Sequence, residues 1–255
     1  MRTMFGRKGI FEDLEVSLDN QSGIEMPLRI YRSEMILSYF EADLDPIKAW
    51  IPHERLHPIR RGSNKSVICI IQTYCNHASV PPFRSVSISV PVTLGKRPAP
   101  SYLPLLFEES WINKGYYIHQ EAVNSSEAYE AKTEIWGYPE FLADIESTMV
   151  DDNTQETEVS EEERLFTLRV KRPEYVKDYD KTLKLYSVKQ NVVCENKFLI
   201  ESGHESRRDP EASVIVFGNH PIGRQLKSMN VGPHALETRY FLDMKAVLPY
   251  PDYLD

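Results

Sequence analysis

The chain has 255 residues, 41% of them hydrophobic and 27% charged, with a net charge of −8. That is ample material for a buried core, and the acidic balance argues against a nucleic-acid binder, which would carry a basic stripe. No apolar run reaches the length of about 18 residues that a spanning helix needs, so no membrane partner is expected.

Met1 to Ile10 is basic but has no apolar segment, and no signal peptide is expected there. Three cysteines, Cys69, Cys75 and Cys194, are too few and too irregular for a disulfide framework. They fit a reducing compartment, and the cytoplasm is the expected location. Cys69 and Cys75 lie in an apolar run and read as buried, inert thiols.

Residues 1–26 carry little pattern and read as a peripheral arm. Met26 to Phe40 is apolar with scattered polar residues, a strand candidate. Asp43 to Trp50 predicts a short helix: Asp43 can cap it, Pro46 suits its first turn, and Leu44, Ile47 and Trp50 share one face. Pro52 ends it. Ser66 to Tyr74 is a near-continuous β-branched and aromatic run, a buried strand. In Phe83 to Val90, Val86, Ile88 and Val90 alternate with serines, the pattern of a half-buried strand. Gly95 to Pro104 is a proline-rich loop.

Gly115 to Glu121 and Ala128 to Ile135 are read as two more strands, joined by the turn-like Asn124-Ser125-Ser126. Phe141 to Val150 continues as a strand. Asp151 to Glu163 is acidic and polar, an exposed turn or loop, and Leu165 to Val170 alternates again. Leu183 to Cys194 and Lys197 to Glu201 are weaker strand signals, and Glu205 to Glu211 a charged loop. Ser213 to Phe217 is a clear strand, Pro221 to Met229 a short helix, and Tyr240 to Leu248 a last strand. Many strands and few helices predict a single domain over 1–255, α+β but mainly β; the alternation of a doubly wound fold is absent.

Several chemistries lack their motifs. The glycines are scattered, so there is no phosphate cradle, and no Gly-x-Ser-x-Gly elbow occurs. His53 and His57 stand four apart, but Pro52 and Pro58 leave little helix between them, and no metal or other cofactor is expected. The most distinctive stretch is Glu134-Ile135-Trp136-Gly137-Tyr138-Pro139-Glu140. Gly137 permits backbone angles closed to other residues, and Pro139 fixes its own φ, so this corner holds Glu140 in a set direction.

That stretch resembles the active-site motif of the acetoacetate decarboxylase family: Gly-Arg-Glu, two residues, Gly, an aromatic or similar residue, Pro, then Lys. Glu134, Gly137 and Pro139 stand where the family has them. Phe83 to Val92 resembles the family's Pro-Tyr-x-Glu strand with its closing Val-Pro-Val. Asp43 to Pro52 resembles its early helix, and Gly218 to Leu226 and Asp243 to Pro249 its C-terminal part. The resemblance covers most of residues 35–253. It implies a curved antiparallel sheet or barrel of the acetoacetate decarboxylase-like type with few short helices, and a homo-oligomer.

The family's chemistry does not carry over intact. Its Schiff-base lysine falls at Glu140, its second lysine at Phe141, and its catalytic glutamate near Ser85. Its arginine has no clean counterpart, Arg29 and Arg32 being merely close. Lys132 falls on the family's glycine. An imine needs a neutral amine, obtained by desolvation or a neighbouring cation, for which acetoacetate decarboxylase is itself the standard example. A carboxylate cannot form one. The sequence therefore predicts a small apolar pocket for a carbonyl or carboxylate compound without imine chemistry. Phe83, Ser85, Trp136, Phe141, Arg29 and Arg32 are the candidate binding residues. The alternative is a lyase or hydrolase using Glu140 as general acid or base, its pKa raised by burial; a true acetoacetate decarboxylase is the third possibility.

Overall fold

The long apolar runs become long strands because both of their faces are buried. The computed structural model describes residues 9–12, 14–20, 22–101, 103–106 and 111–254. Part of the expected N-terminal arm, residues 1–8, and part of the proline-rich stretch after Gly95 lie outside the described residues.

Short β1 (Ser17–Leu18) and β2 (Glu25–Met26) pair with each other and lead into β3 (Leu28–Asp43). The predicted helix follows as α1 (Leu44–Trp50), but Asp43 does not cap it. Its carboxylate is taken by Lys65 and Asn230, each at 2.6 Å. Then come β4 (Leu56–Pro58), β5 (Lys65–Ala78), β6 (Phe83–Leu94), the single turn α2 (Leu103–Leu106) and β7 (Lys114–Val123). Ala128 to Ile135, read from the sequence as strand, instead lies within α3 (Ser126–Trp136). After it follow β8 (Glu140–Leu142), β9 (Asp144–Met149), β10 (Thr154–Ser160), β11 (Arg164–Lys171), β12 (Lys177–Lys189), β13 (Val192–Arg207) and β14 (Ser213–Phe217). The chain closes with α4 (Pro221–Ser228), β15 (Glu237–Leu248) and β16 (Asp252–Leu254).

Seven strands close a barrel in the order β6-β5-β3-β15-β13-β12-β7, with β7 returning to β6. Every pairing is antiparallel except the short parallel contact of β7 with β12. A second sheet, β14-β11-β10-β9, is antiparallel throughout. Its Val159, Phe166, Leu168 and Ile215 share one core with Ile36, Phe40, Ile70 and Ile88 from the barrel's outer face. A separate core fills the barrel, with Met35, Leu37, Cys69, Ile71, Phe198 and Phe241 pointing in. Each fully buried side chain of this size contributes about 1.5–3 kcal/mol.

This two-sided burial corrects three readings. The serines of β6 do not face solvent: Ser85, Ser87 and Ser89 are buried on the barrel side, while Val86, Ile88 and Val90 face the second sheet. The acidic segment 151–163 is not all loop; it contains β10, an inner strand of the second sheet with Gln155, Thr157 and Val159 buried. The weak signals after Leu183 are two of the longest strands, β12 and β13, turned at Gln190 and Asn191 with φ of 51° and 65°. β13 also runs on through half of the expected charged loop, to Arg207. Among the described residues, all three cysteines are buried free thiols and no helix is long and apolar enough to cross a membrane.

The barrel seam depends on a missing side chain. A Cβ on Gly115 would lie 2.5 Å from both Lys184 O and Tyr186 Cε2 on β12. Gly115→Ala therefore pries the seam apart. The expected loss is about 1–3 kcal/mol, as for overpacking elsewhere, or roughly 2–10 °C in Tm for a chain of this size. Thermal unfolding with an unchanged midpoint would contradict it.

Candidate functional site

α3 begins and ends on local signals. The backbone N–H of Ala128 donates to Ser125 Oγ at 3.3 Å, an N-cap interaction typically worth about 1 kcal/mol. At the other end Gly137 adopts φ 66°, and the N–H groups of Gly137 and Tyr138 both donate to Lys132 O. Between these caps Ala128, Ala131, Lys132, Ile135 and Trp136 form the buried stripe of an amphipathic helix. The helix packs this stripe on the barrel, so a lysine enters the apolar interior.

There Lys132 Nζ donates to Glu121 Oε1 at 2.6 Å and to Ser85 Oγ at 3.3 Å. It lies 3.5 Å from Glu140 Oε1 and 5.1 Å from the centre of the Phe83 ring. The side chains of Lys132, Glu121 and Glu140 are 10%, 4% and 0% exposed. The two carboxylates are adjacent because β7 and β8 run parallel with Glu121 opposite Glu140. Side chains in such register share a face across one strand spacing, roughly 4.8 Å. The Gly137-Pro139 corner delivers β8 to this position, as the sequence suggested, though it ends a helix and not a strand.

Two carboxylates this close do not both ionise easily. Burial pushes the Glu140 carboxyl up; Lys132 only partly offsets this and the charge of Glu121 adds to it, leaving its pKa at about 9. Burial acts the same way on Glu121, but the Lys132 charge and hydrogen bonds outweigh it and hold that carboxyl below its usual value. Burial disfavours the Lys132 ammonium, yet Glu121 and Glu140 together hold its pKa above the usual lysine value. At neutral pH the group is Glu121 carboxylate, Lys132 ammonium and Glu140 acid. Removing Lys132 would strand a buried charge, at a cost of about 3–5 kcal/mol.

Glu121 and Lys132 line a cavity of about 50 Å³ whose other walls include Ile30, Met35, Phe83 and Ile118. Glu140 is not on that wall but behind the pair, and neither of its oxygens has a hydrogen-bond partner among the described residues. Of the predicted binding residues, Phe83 and Ser85 join the group. Trp136 is buried but donates its indole N–H to Pro249 O at 2.8 Å, tying α3 to the C-terminal segment. Phe141 points the other way, into the core shared with the second sheet. Arg29 pairs with Glu25, and Arg32 is exposed.

Glu121 and the role of Lys132 were not foreseen. The resemblance puts Lys132 on the family's glycine and gives it no role; the 3.6-residue stripe between Ser125 and Gly137 is the signal that places it in the barrel. Glu121 had none. A bulge in β7, opposite Ile88 and Ser89, inserts an extra residue between Ile118 and Gln120. That residue, His119, stacks on Trp50 outside the barrel, with ring centres 4.0 Å apart. The bulge reverses the inward parity and re-aims Glu121.

A family model described as acetoacetate decarboxylase matches residues 17–209. The chain belongs to the acetoacetate decarboxylase family. Solved structures agree on the fold. An acetoacetate decarboxylase from Legionella pneumophila superposes with a TM-score of 0.62 at 13% identity, over 90% of this chain and 87% of that one. An acetoacetate decarboxylase-like enzyme from Sphingomonas wittichii gives 0.56 at 11% identity, over 90% and 93%. The enduracididine biosynthesis enzyme MppR, complexed with pyruvate, gives 0.54 at 10%, over 90% of each chain. No curated protein sequence matches. Within this acetoacetate decarboxylase family member, the lysine of the cavity comes from α3.

The proton on Glu140 has a measurable consequence. The folded chain keeps it up to about pH 9, whereas an unperturbed glutamate loses it near 4.5. Between those values the native state binds the extra proton, so stability falls as pH rises, by up to about 1.4 kcal/mol per pH unit. Glu121 acts oppositely and only at acid pH, its contribution being lost as pH falls through its depressed pKa. Burial lowers the pKa of His119 to about 4 and of Lys114 to about 7, which opposes this slope, so in denaturant unfolding from pH 5 to 9 stability should fall more steeply, or rise less, with pH in the wild type than in Glu140→Gln. An equal slope in the two proteins would contradict this assignment.

Proposed function

We propose that the barrel cavity holds a small carbonyl or carboxylate compound and acts on it by acid–base chemistry, without an imine. The observation that carries this reading is the 2.6 Å clamp of Glu121 on Lys132, with Glu140 at 3.5 Å. Imine formation starts from a free amine, and this lysine is held as an ammonium. A buried ammonium suits a substrate carboxylate, or the oxyanion that grows on a carbonyl oxygen as a carbon next to it loses a proton or carbon dioxide. Glu121, ionised and on the cavity wall, is placed to accept or return that proton. Glu140, protonated behind it, keeps Glu121 ionised and replaces the proton that the pair gives up.

The size of the cavity, about 50 Å³, restricts the compound to a few non-hydrogen atoms beyond what side-chain movement opens. The pyruvate bound by the fold relative MppR is of this class. The reading carries with it the homo-oligomer that the family resemblance implies.

A second reading, an imine on Lys132, is favoured by the presence of its amine on the cavity wall. Incubation with acetoacetate or pyruvate and borohydride, followed by peptide mapping, separates the two. The expected result is no reduced adduct on Lys132; an adduct there with turnover above background would overturn the proposal. For a β-keto acid that the protein does turn over, Glu140→Gln should lower kcat at least a hundredfold with KM nearly unchanged. For the oligomer, light scattering should give a multiple of 29.5 kDa at micromolar concentration, and a monomer mass would count against it.

A further inference from the structure

On the outer side of the barrel, α1 and β4 frame a cleft of about 370 Å³ that shares no lining residue with the Lys132 cavity. That is within the usual range for small-molecule sites, about 300–1,000 Å³. Backbone bonds fix its walls: the Leu56 N–H donates to His53 O at 3.1 Å, and the Gly95 N–H to Arg55 O at 2.9 Å. Ser101 Oγ donates to Arg60 O at 3.0 Å. Pro52, Pro58 and Pro98 lie on the same walls and stiffen them further.

The chain as a whole carries a charge of −8, yet two cations, Lys48 and Arg60, line this cleft against one acid, Glu54. All three are exposed and within a ligand's reach. Arg60 has no ion-pair partner among the described residues. Lys48 pairs with Asp45 at 2.9 Å, but the two side chains are 54% and 74% exposed, and a pair so open to water holds neither partner firmly. His53 Nδ1 accepts from the Arg55 N–H at 3.2 Å, which leaves the ring hydrogen on Nε2 as a donor. His57 spends its Nε2–H on Gly95 O at 2.9 Å and so pins the wall. The two histidines do not make a metal centre: among the described residues no group of three His, Cys, Asp or Glu side chains could hold an ion.

We infer that this cleft is a second ligand site, built for a small phosphate monoester, with Arg60, Lys48 and His53 on the phosphate oxygens and Ile51 and the prolines against the organic part. A phosphate monoester carries a charge of about −1.5 to −2 at neutral pH and three strong acceptor oxygens. That matches two cations and one neutral donor supplied by three separate segments, with the planar fork of Arg60 able to take two oxygens at once. A carboxylate, with one charge and two oxygens, would leave part of this set unused. Glu54 opposes any anion here, and so provides a substitution whose effect has the opposite sign.

Calorimetry of the full chain with phenyl phosphate at pH 7 and constant ionic strength tests this. The expected result is one binding event, about threefold tighter than that of inorganic phosphate because of the apolar walls. Benzoate, the matching carboxylate, should bind about tenfold more weakly than phenyl phosphate. Arg60→Gln, checked for fold by circular dichroism, should weaken phenyl phosphate about tenfold. Should that variant not fold, Lys48→Gln decides, with binding about threefold weaker, while Glu54→Gln should tighten it about twofold. No binding of phenyl phosphate at millimolar concentration would overturn the inference. So would an affinity unchanged in Arg60→Gln, or in Lys48→Gln where that variant decides, an affinity lowered in Glu54→Gln, or benzoate binding as tightly as phenyl phosphate.

Discussion

The ion pair between Lys132 and Glu121 is buried inside a β-barrel against an apolar core, and much of the local structure exists to make it tolerable. Moving either charge from water into such a place costs several kcal/mol, which only the partner and close hydrogen bonds recover. α3 must therefore end where it does, so that Lys132 reaches in. The β7 bulge must turn Glu121 to the same point, and Ser85 must supply an oxygen. The third member, Glu140, cannot also be charged there and keeps its proton. One geometric fact, the register of Glu121 with Glu140 across parallel strands, thus sets the protonation of all three groups.

This arrangement inverts the electrostatics of an imine-forming lysine. Such a residue is made neutral by a neighbouring cation or by burial without a partner. Lys132 has burial but two acidic neighbours, and so stays a cation.

Much of the fold was legible in the sequence. The apolar runs at 66–74 and 213–217 are strands as expected, the expected helices at 43–50 and 221–229 form over 44–50 and 221–228, and the corner at Gly137 to Pro139 aims Glu140 inward, though it ends a helix. The family resemblance supplied the barrel. What misled was the assumption that a serine-alternating or acidic segment faces water. In β6 the polar side lines the barrel and in β10 it is packed into a second sheet, because both faces of the barrel wall are covered. Ala128 to Ile135 was misread because its β-strand neighbours set the expectation, although Ser125, Gly137 and the helical stripe between them marked a helix. Of the site, Glu140, Phe83 and Ser85 were named from sequence, and the three converge. Glu121 was invisible for a physical reason: a bulge changes side-chain parity without leaving a mark in residue type.

The central claim is a distribution of protons, and it is observable directly. Carbon-13 labelling of the glutamate side chains, with Glu140 assigned through Glu140→Gln, allows its carboxyl to be titrated by nuclear magnetic resonance in the intact protein. The account predicts a carboxylic acid at pH 7 that ionises at about 9, while Glu121 is already a carboxylate well into the acid range. A Glu140 signal that shows a carboxylate at pH 7, titrating near the ordinary glutamate value, would contradict it.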